Sequence, residues 1–247
     1  MRALILRLEA PLMAFGDVMV DAIGRTARYP AASMLTGLLA NALGWDQGAF
    51  DRHDRLQQRL RFAARRDRDG RILEDYQTVD LGQPFMTGPG WTTTGSPQKR
   101  EGGPAAKGTH IRRREYLEDA CVTVALALDP PDEDPDLDAL ATALRAPRRP
   151  LFIGRKPCLP SAPLLLGAAE GAGLLDILAR VPPAEGPRPA GAGAGKMFAI
   201  WPPEEEGGRN PRPVIVHDRR DWRNQIHVGE RLMLEDEVEI TLPEEGR

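Results

Sequence analysis

Apolar and polar residues alternate over residues 2–9, with Leu4, Leu6 and Leu8 on one side and Ala3, Ile5, Arg7 and Glu9 on the other. A period of two predicts a strand, and Ala10-Pro11 ends it before an irregular loop that runs to Pro30. From Ser33, a candidate helix cap, the period lengthens. Met34, Leu35, Leu38, Leu39, Ala42 and Leu43 share one stripe, and Gly44 stops the helix. A short polar helix is predicted around 51–60, and residues 61–79 read as a hairpin with Asp69-Gly70 at its turn. Residues 82–109 are rich in Gly, Pro, Thr and Lys and show no period, which predicts a long loop.

Order returns with CVTVALAL (121–128), apolar on both faces as in a central strand covered from both sides. Asp134-Pro135 opens a helix carrying Leu137, Leu140, Ala141 and Leu144 at helical spacing. Leu151–Ile153 is expected as a short strand, and 182–195, almost all Pro, Gly and Ala, as a flexible linker. Short strands are expected at Met197–Trp201, Val214–Val216 and Val238–Leu242. The order strand, helix, strand, strand, helix, strand predicts a ferredoxin-like α+β fold. Its main domain would span 1–181, with a long insertion at about 80–112, followed by a small β-rich region at 196–247.

Composition narrows the class without naming a ligand. Net charge is −3, from 33 basic and 36 acidic residues, so any nucleic-acid interface must come from the distribution of charge. Cys121 and Cys158 are the two cysteines, with no CxxC pair, which argues against a disulfide scaffold or a zinc module and suits a reducing cytoplasm. The N-terminal apolar stretch is interrupted by Arg7 and Glu9, too short and too charged for a signal peptide or membrane span. A soluble cytoplasmic protein is expected.

Candidate chemistry is sparse. PAGAGAGKM (189–197) superficially matches a phosphate-binding loop, but Ala190 stands where the first Gly is needed and Met197 where a Ser or Thr would hold magnesium. His53, His110, His217 and His227 stand in no metal-ligand spacing, and neither metal nor cofactor is expected. His110 with Lys107 or Tyr116 has the residue types of a metal-free ribonuclease, a general base and a cation; all three lie in or beside the long loop, and chance proximity there is the favoured explanation. Basic clusters remain at Arg112–Arg114, Arg148-Arg149, Arg155-Lys156, and Arg219-Arg220 with Arg223. Several border apolar runs, where guanidinium groups fork to phosphate, and Phe15, Tyr116 and Trp222 offer stacking surfaces. Solvated faces would look the same.

Five ordered blocks resemble one family. LILRLEAPLMAFGD, GRTARYPAASMLTGLLANALG (24–44), LEDYQTV (73–79), RREYLEDACVTVALAL (113–128) and PLFIGRKPCLPSAPLLLG (150–167) are similar to the CasD family, the type I-E branch of the CRISPR-associated Cas proteins numbered five. The late VHDRRDWRNQIHVGERLM resembles the C-terminal portion of some members. The resemblance implies a RAMP-type, RRM-like fold in a Cascade surveillance complex. There the subunit is non-catalytic, grips the 5′ handle of CRISPR RNA, caps the backbone filament and sits beside the large PAM-reading subunit, meeting target DNA only through the complex. The insertion at 80–112 would be a thumb reaching the adjacent backbone subunit. Carried onto matching positions, it implies handle contacts at Met13, Phe15, Gly16, Arg25, Arg28, Ser33, Arg113, Tyr116, Arg155 and Lys156, with Gly154 letting backbone approach the ligand. A precursor-processing endoribonuclease and a protein-only scaffold are the alternatives, and no membrane partner is expected.

Overall fold

The computed structural model describes residues 1–17, 22–80 and 109–241, together with the backbone of 90–91 and 97–98. The long strands are β1 (Arg2–Glu9), β2 (Leu60–Arg68), β3 (Arg71–Asp80), β4 (Thr109–Glu118), β5 (Cys121–Leu128), β6 (Leu165–Glu170), β7 (Lys196–Trp201), β8 (Arg212–Val216) and β9 (Arg231–Glu239). Four helices accompany them among the described residues: α1 (Ala32–Leu43), α2 (Phe50–Arg59), α3 (Leu137–Arg145) and α4 (Leu174–Arg180).

A seven-stranded antiparallel sheet forms the body, in the order β6-β1-β5-β2-β7-β9-β8. Its first four strands, numbered along the chain, lie 4-1-3-2. Strand alternation sorts the core into two layers. Leu4, Leu6 and Leu8 of β1 and Val122, Val124 and Leu126 of β5 face α1, α2 and α3. Ala3 and Ile5, with Ala63, Ala125, Ala127 and Ala199, face α4, which buries Leu174, Leu175, Ile177 and Leu178 against them. The alanines let α4 lie close to the sheet, and each buried leucine or isoleucine contributes about 1.5–3 kcal/mol. β5 is buried along its whole length, as its two-sided apolar pattern predicts.

Several local expectations change. Ser33 lies in the first turn of α1 and does not cap it. Asp218 caps from 186 residues away, its Oδ2 accepting the Ala32 N–H at 3.0 Å and its carbonyl accepting the Ser33 N–H at 2.8 Å. Asp136, not Asp134, caps α3, accepting the Ala139 N–H at 2.7 Å. The turn at Asp69-Gly70 is present, but β2 and β3 do not pair. β2 is held between β5 and β7, while β3 leaves the sheet to pair with β4 in a second sheet. Gly70 has φ 62°, and a Cβ there would lie 2.3 Å from the Glu118 carbonyl, so the crossing of the chain over itself requires glycine.

Leu151–Ile153 is not a strand. The fourth core strand is β6, paired with β1, and α4 follows it. The segment 182–195 is fastened near its start: Arg7 Nη2 donates to Pro182 O at 2.5 Å, Arg68 Nη1 to Glu185 O at 2.6 Å, and the Ala184 N–H to Asp67 Oδ2 at 2.8 Å. The C-terminal strands β7, β9 and β8 then extend the same sheet, β9 starting at Arg231, earlier than expected, and ending at Glu239. The β3–β4 ribbon flanks the segment expected as an insertion, of which residues 81–89, 92–96 and 99–108 lie outside the described residues.

Candidate nucleic-acid interface

A groove of about 740 Å³ runs between α1, the loop 149–159 and a small hairpin in which Arg220-Asp221 pairs with Ile226-His227. Its floor is apolar, built from Ala14, Phe15, Met34, Leu38 and Phe152. Around it stand Arg149, Arg155, Lys156, Arg220, His53 and His227, and no carboxylate lies among the described lining residues. In a chain of net charge −3 this is a local concentration of cations over apolar surface, the combination that suits phosphates with unstacked bases.

The hairpin wall is placed by α2, whose polar composition hides a docking face. Gln57, 7% exposed, clamps the Arg220 backbone: its Nε2 donates to Arg220 O at 2.9 Å and its Oε1 accepts the Arg220 N–H at 3.0 Å. The His53 ring lies 4.7 Å from the Trp222 ring and meets Trp45 edge-on at 5.7 Å. Trp222 reaches 3.5 Å from the position of a Cβ on Gly37, so the glycine in mid-helix leaves space for the indole. Arg149 forms the opposite rim, donating to Trp45 O at 2.7 Å and Asp46 Oδ1 at 2.5 Å.

The loop bearing Arg155 and Lys156 is fixed by the main chain. The Ala14 N–H donates to Ile153 O at 3.2 Å, and Ile153 N–H to Cys158 O at 2.8 Å. At Gly154, φ is 87° and a Cβ would lie 1.5 Å from the Ala14 carbonyl oxygen. The close approach that this glycine permits is therefore to the chain's own backbone. Arg155 turns inward, with Nη1 donating to Glu115 O at 2.8 Å, Nη2 to Gly24 O at 3.1 Å, and its guanidinium 4.8 Å over the Tyr116 ring. Lys156 is exposed. Burial raises the Cys158 thiol above its ordinary pKa, which keeps it protonated beside the groove.

The expected contact residues divide. Phe15, Gly16, Ser33, Gly154, Arg155 and Lys156 line the groove. Met13 does not; it is fully buried in the core, on a short strand pairing with Leu117-Glu118. Arg25 is exposed outside the groove. Arg28 lines an adjoining pocket of about 340 Å³ that shares Gly16 and His227 with it, and its Nη1 is 4.0 Å from Asp69. Arg113 sits on the ribbon, stacked 5.7 Å over Tyr76 and 3.7 Å from Glu74. Tyr116 is buried beneath Arg155.

His110 is exposed on the same strand as Tyr116, six residues along β4, which separates them by about 20 Å and prevents their sharing one phosphate. Lys107 lies outside the described residues. The glycine-rich turn before β7 holds a carboxylate already, since Glu237 Oε1 accepts the Gly193 N–H at 2.9 Å. Arg149, Arg220 and Trp222 belong to clusters visible in the sequence. Trp45, Gln57 and Leu159 give no local signal.

Comparison with known proteins agrees with this architecture. Residues 3–234 match the family described as CRISPR-associated protein (Cas_Cas5). The CRISPR system Cascade subunit CasD of Escherichia coli (strain K12) is 33% identical over 175 residues, covering 68% of this chain and 71% of CasD. A chain of a CRISPR RNA-guided surveillance complex superposes with a TM-score of 0.70 at 26% identity, covering 99% of this chain and 95% of its own. A crystal structure of a Cas protein superposes with a TM-score of 0.60 at 27% identity, covering 96% and 94%. The chain therefore belongs to the CRISPR-associated Cas5 family, as the ordered sequence blocks imply.

Proposed function

We propose that this chain is a non-catalytic, RNA-gripping subunit of a type I-E Cascade surveillance complex, holding the 5′ handle of CRISPR RNA in the groove. The observation that carries the reading is that groove: four Arg and Lys side chains and two histidines around an apolar floor, without a carboxylate among the described lining residues. The 4-1-3-2 strand order, with α1, α2 and α3 on one face, supports a ferredoxin-like RAMP core. Lys156, Arg149 and Arg220 supply cations to phosphates, and Gly16 and Ser33 meet the handle bases above the floor that the buried Phe15 supports. Arg25 and Arg28 extend the path beyond the groove.

In the assembled particle the subunit caps the backbone filament in the cytoplasm. The ribbon acts as the stem of a thumb directed at the adjacent backbone subunit, beside the large PAM-reading subunit. Target DNA is reached through guide pairing. The separation of His110 from Tyr116 supports a non-catalytic role.

The test is titration of labelled handle RNA with the full chain in EDTA, over a series of salt concentrations. Saturable binding that weakens with salt and leaves the RNA intact is expected. Absence of binding at every salt concentration would favour a protein-only scaffold, and specific cleavage in EDTA would favour a processing ribonuclease.

A further inference from the structure

We propose that Arg155 is a positioning residue that pins the groove loop to the root of the β3–β4 ribbon, so that a strand held in the groove stiffens the ribbon. The inference rests on the RNA-binding reading of the groove.

Four segments meet at this side chain. Its own loop is closed by the Cys158 N–H donating to Arg155 O at 2.9 Å and by the Ile153–Cys158 bond. Its two terminal nitrogens reach Glu115 on β4 and Gly24, a residue paired with Arg114 in the same ribbon. Its face covers Tyr116, the next residue on β4. The segment around Gly24 is tied in turn to the groove floor. Thr26 Oγ1 accepts the Phe15 N–H at 2.9 Å, the Ala27 N–H reaches Gly16 O at 3.0 Å, and the Thr26 N–H reaches Glu115 Oε2 at 3.2 Å. Gly24 has no Cβ to obstruct the approach; one there would stand 3.0 Å from Arg155 Nη2.

The planar fork of arginine suits this role, since it serves two carbonyls and one aromatic face at once, whereas an ammonium cannot. Lys156, the adjacent residue, is exposed. The two neighbours thus divide the work: Lys156 faces the ligand, and Arg155 carries the loop's rigidity to the ribbon. Ordering of the loop by RNA then lowers the opening frequency of the ribbon root.

Amide hydrogen exchange on the full chain, with and without saturating handle RNA, tests this. In the wild type, RNA should slow exchange in Thr109–Glu118 about 5- to 10-fold. Arg155→Ala and Arg155→Lys, each saturated with RNA, should show less than about a 2-fold effect there. Lys156→Ala needs more RNA to saturate but keeps the full effect. Tyr116→Leu removes the stacked ring while leaving the arginine charge. The two carbonyl bonds of Arg155 remain, so this variant should give a smaller loss than the Arg155 variants, and Arg155→Lys decides the matter if Arg155→Ala fails to keep native exchange in Cys121–Leu128. Equal slowing in the wild type and the Arg155 and Tyr116 variants at saturation would overturn the proposal and make Arg155 a simple phosphate contact. A wild type that binds RNA without any ribbon response would overturn it while sparing the groove. A wild type that binds no RNA would sink both.

Discussion

At Gly154 the left-handed backbone and the Ala14 carbonyl leave no space for a side chain. Gly154→Ala should therefore cost at least about 3 kcal/mol, because the clash is with backbone and cannot be relieved by a rotamer change. Gly16 provides the contrast: its φ is 79°, but nothing among the described residues lies within 4 Å of the Cβ position. Gly16→Ala should cost only about 1–2 kcal/mol of backbone strain. Urea midpoints of the two variants, compared with the wild type, test the difference; equal losses would refute the packing argument. The cysteines make a second residue-scale case. Burial raises both thiols, Cys121 to about 12. Neither should react with a thiol reagent at pH 8 until the chain unfolds.

Among the elements, one buried pair joins the Arg7 and Arg68 ties in fastening the chain after α4. Arg65 Nε donates to Asp67 Oδ1 at 2.7 Å with both side chains fully buried, while Arg65 Nη1 serves Leu178 O and Val181 O, and Asp67 Oδ2 accepts from Thr123 and Ala184. Asp67→Ala leaves a buried cation without its partner and should destabilise by about 3–5 kcal/mol in urea titration. It should also speed amide exchange at Ala184. The turn at 207–210 depends on Asp236 in a pH-dependent way. Burial raises its pKa, but the N–H groups of Asn210, Glu237 and Arg209 outweigh that and hold it below the ordinary 3.8. A folded value below the unfolded one gives stability that is present above 3.8 and lost as pH falls through the lower folded value. The stability gap between the wild type and Asp236→Asn should therefore close in acid, and a gap that widened would contradict the assignment. Elements held by local pattern were legible in the sequence: the stripe and terminal glycine of α1, the two-sided strand β5, and the four apolar positions of α3. β6 was not, because LLGAAE carries weak strand formers around a glycine and depends on β1 for its pairing. The Asp69-Gly70 turn was legible, but not the divergence of its strands, which is decided by distant partners. In the groove, the arginine clusters and Trp222 were visible as clusters. The contributions of Gln57 and Asp218, acting across 163 and 186 residues, were not.

For the whole molecule, an acidic chain handles an anionic ligand by segregating its charge. Most of its arginines are committed to carboxylates or carbonyls, as at Arg2–Asp138, Arg55–Glu133, Arg71–Glu118 and Arg212–Glu235. No helix among the described residues is long and apolar enough to cross a membrane. A local surplus of positive charge lies in the groove and continues along Arg25 and Arg28, so RNA affinity should respond to salt chiefly through the cations on that path and hardly at all through arginines paired elsewhere. Lys156→Ala with Arg220→Ala removes two of them from opposite walls. If each pairs one phosphate, the slope of log K against log salt should flatten by about 1.4, at about 0.7 per phosphate on a single strand. The loss at low salt should be about 1.5–3 kcal/mol for each charge-assisted bond. Arg2→Ala with Arg71→Ala removes the same formal charge from exposed pairs elsewhere and should leave the slope within experimental error. Filter binding of handle RNA to both double variants over a salt series separates the two outcomes. Equal flattening would mean that net charge attracts the RNA, whereas flattening confined to the groove variant would locate the phosphates between Lys156 and the hairpin wall.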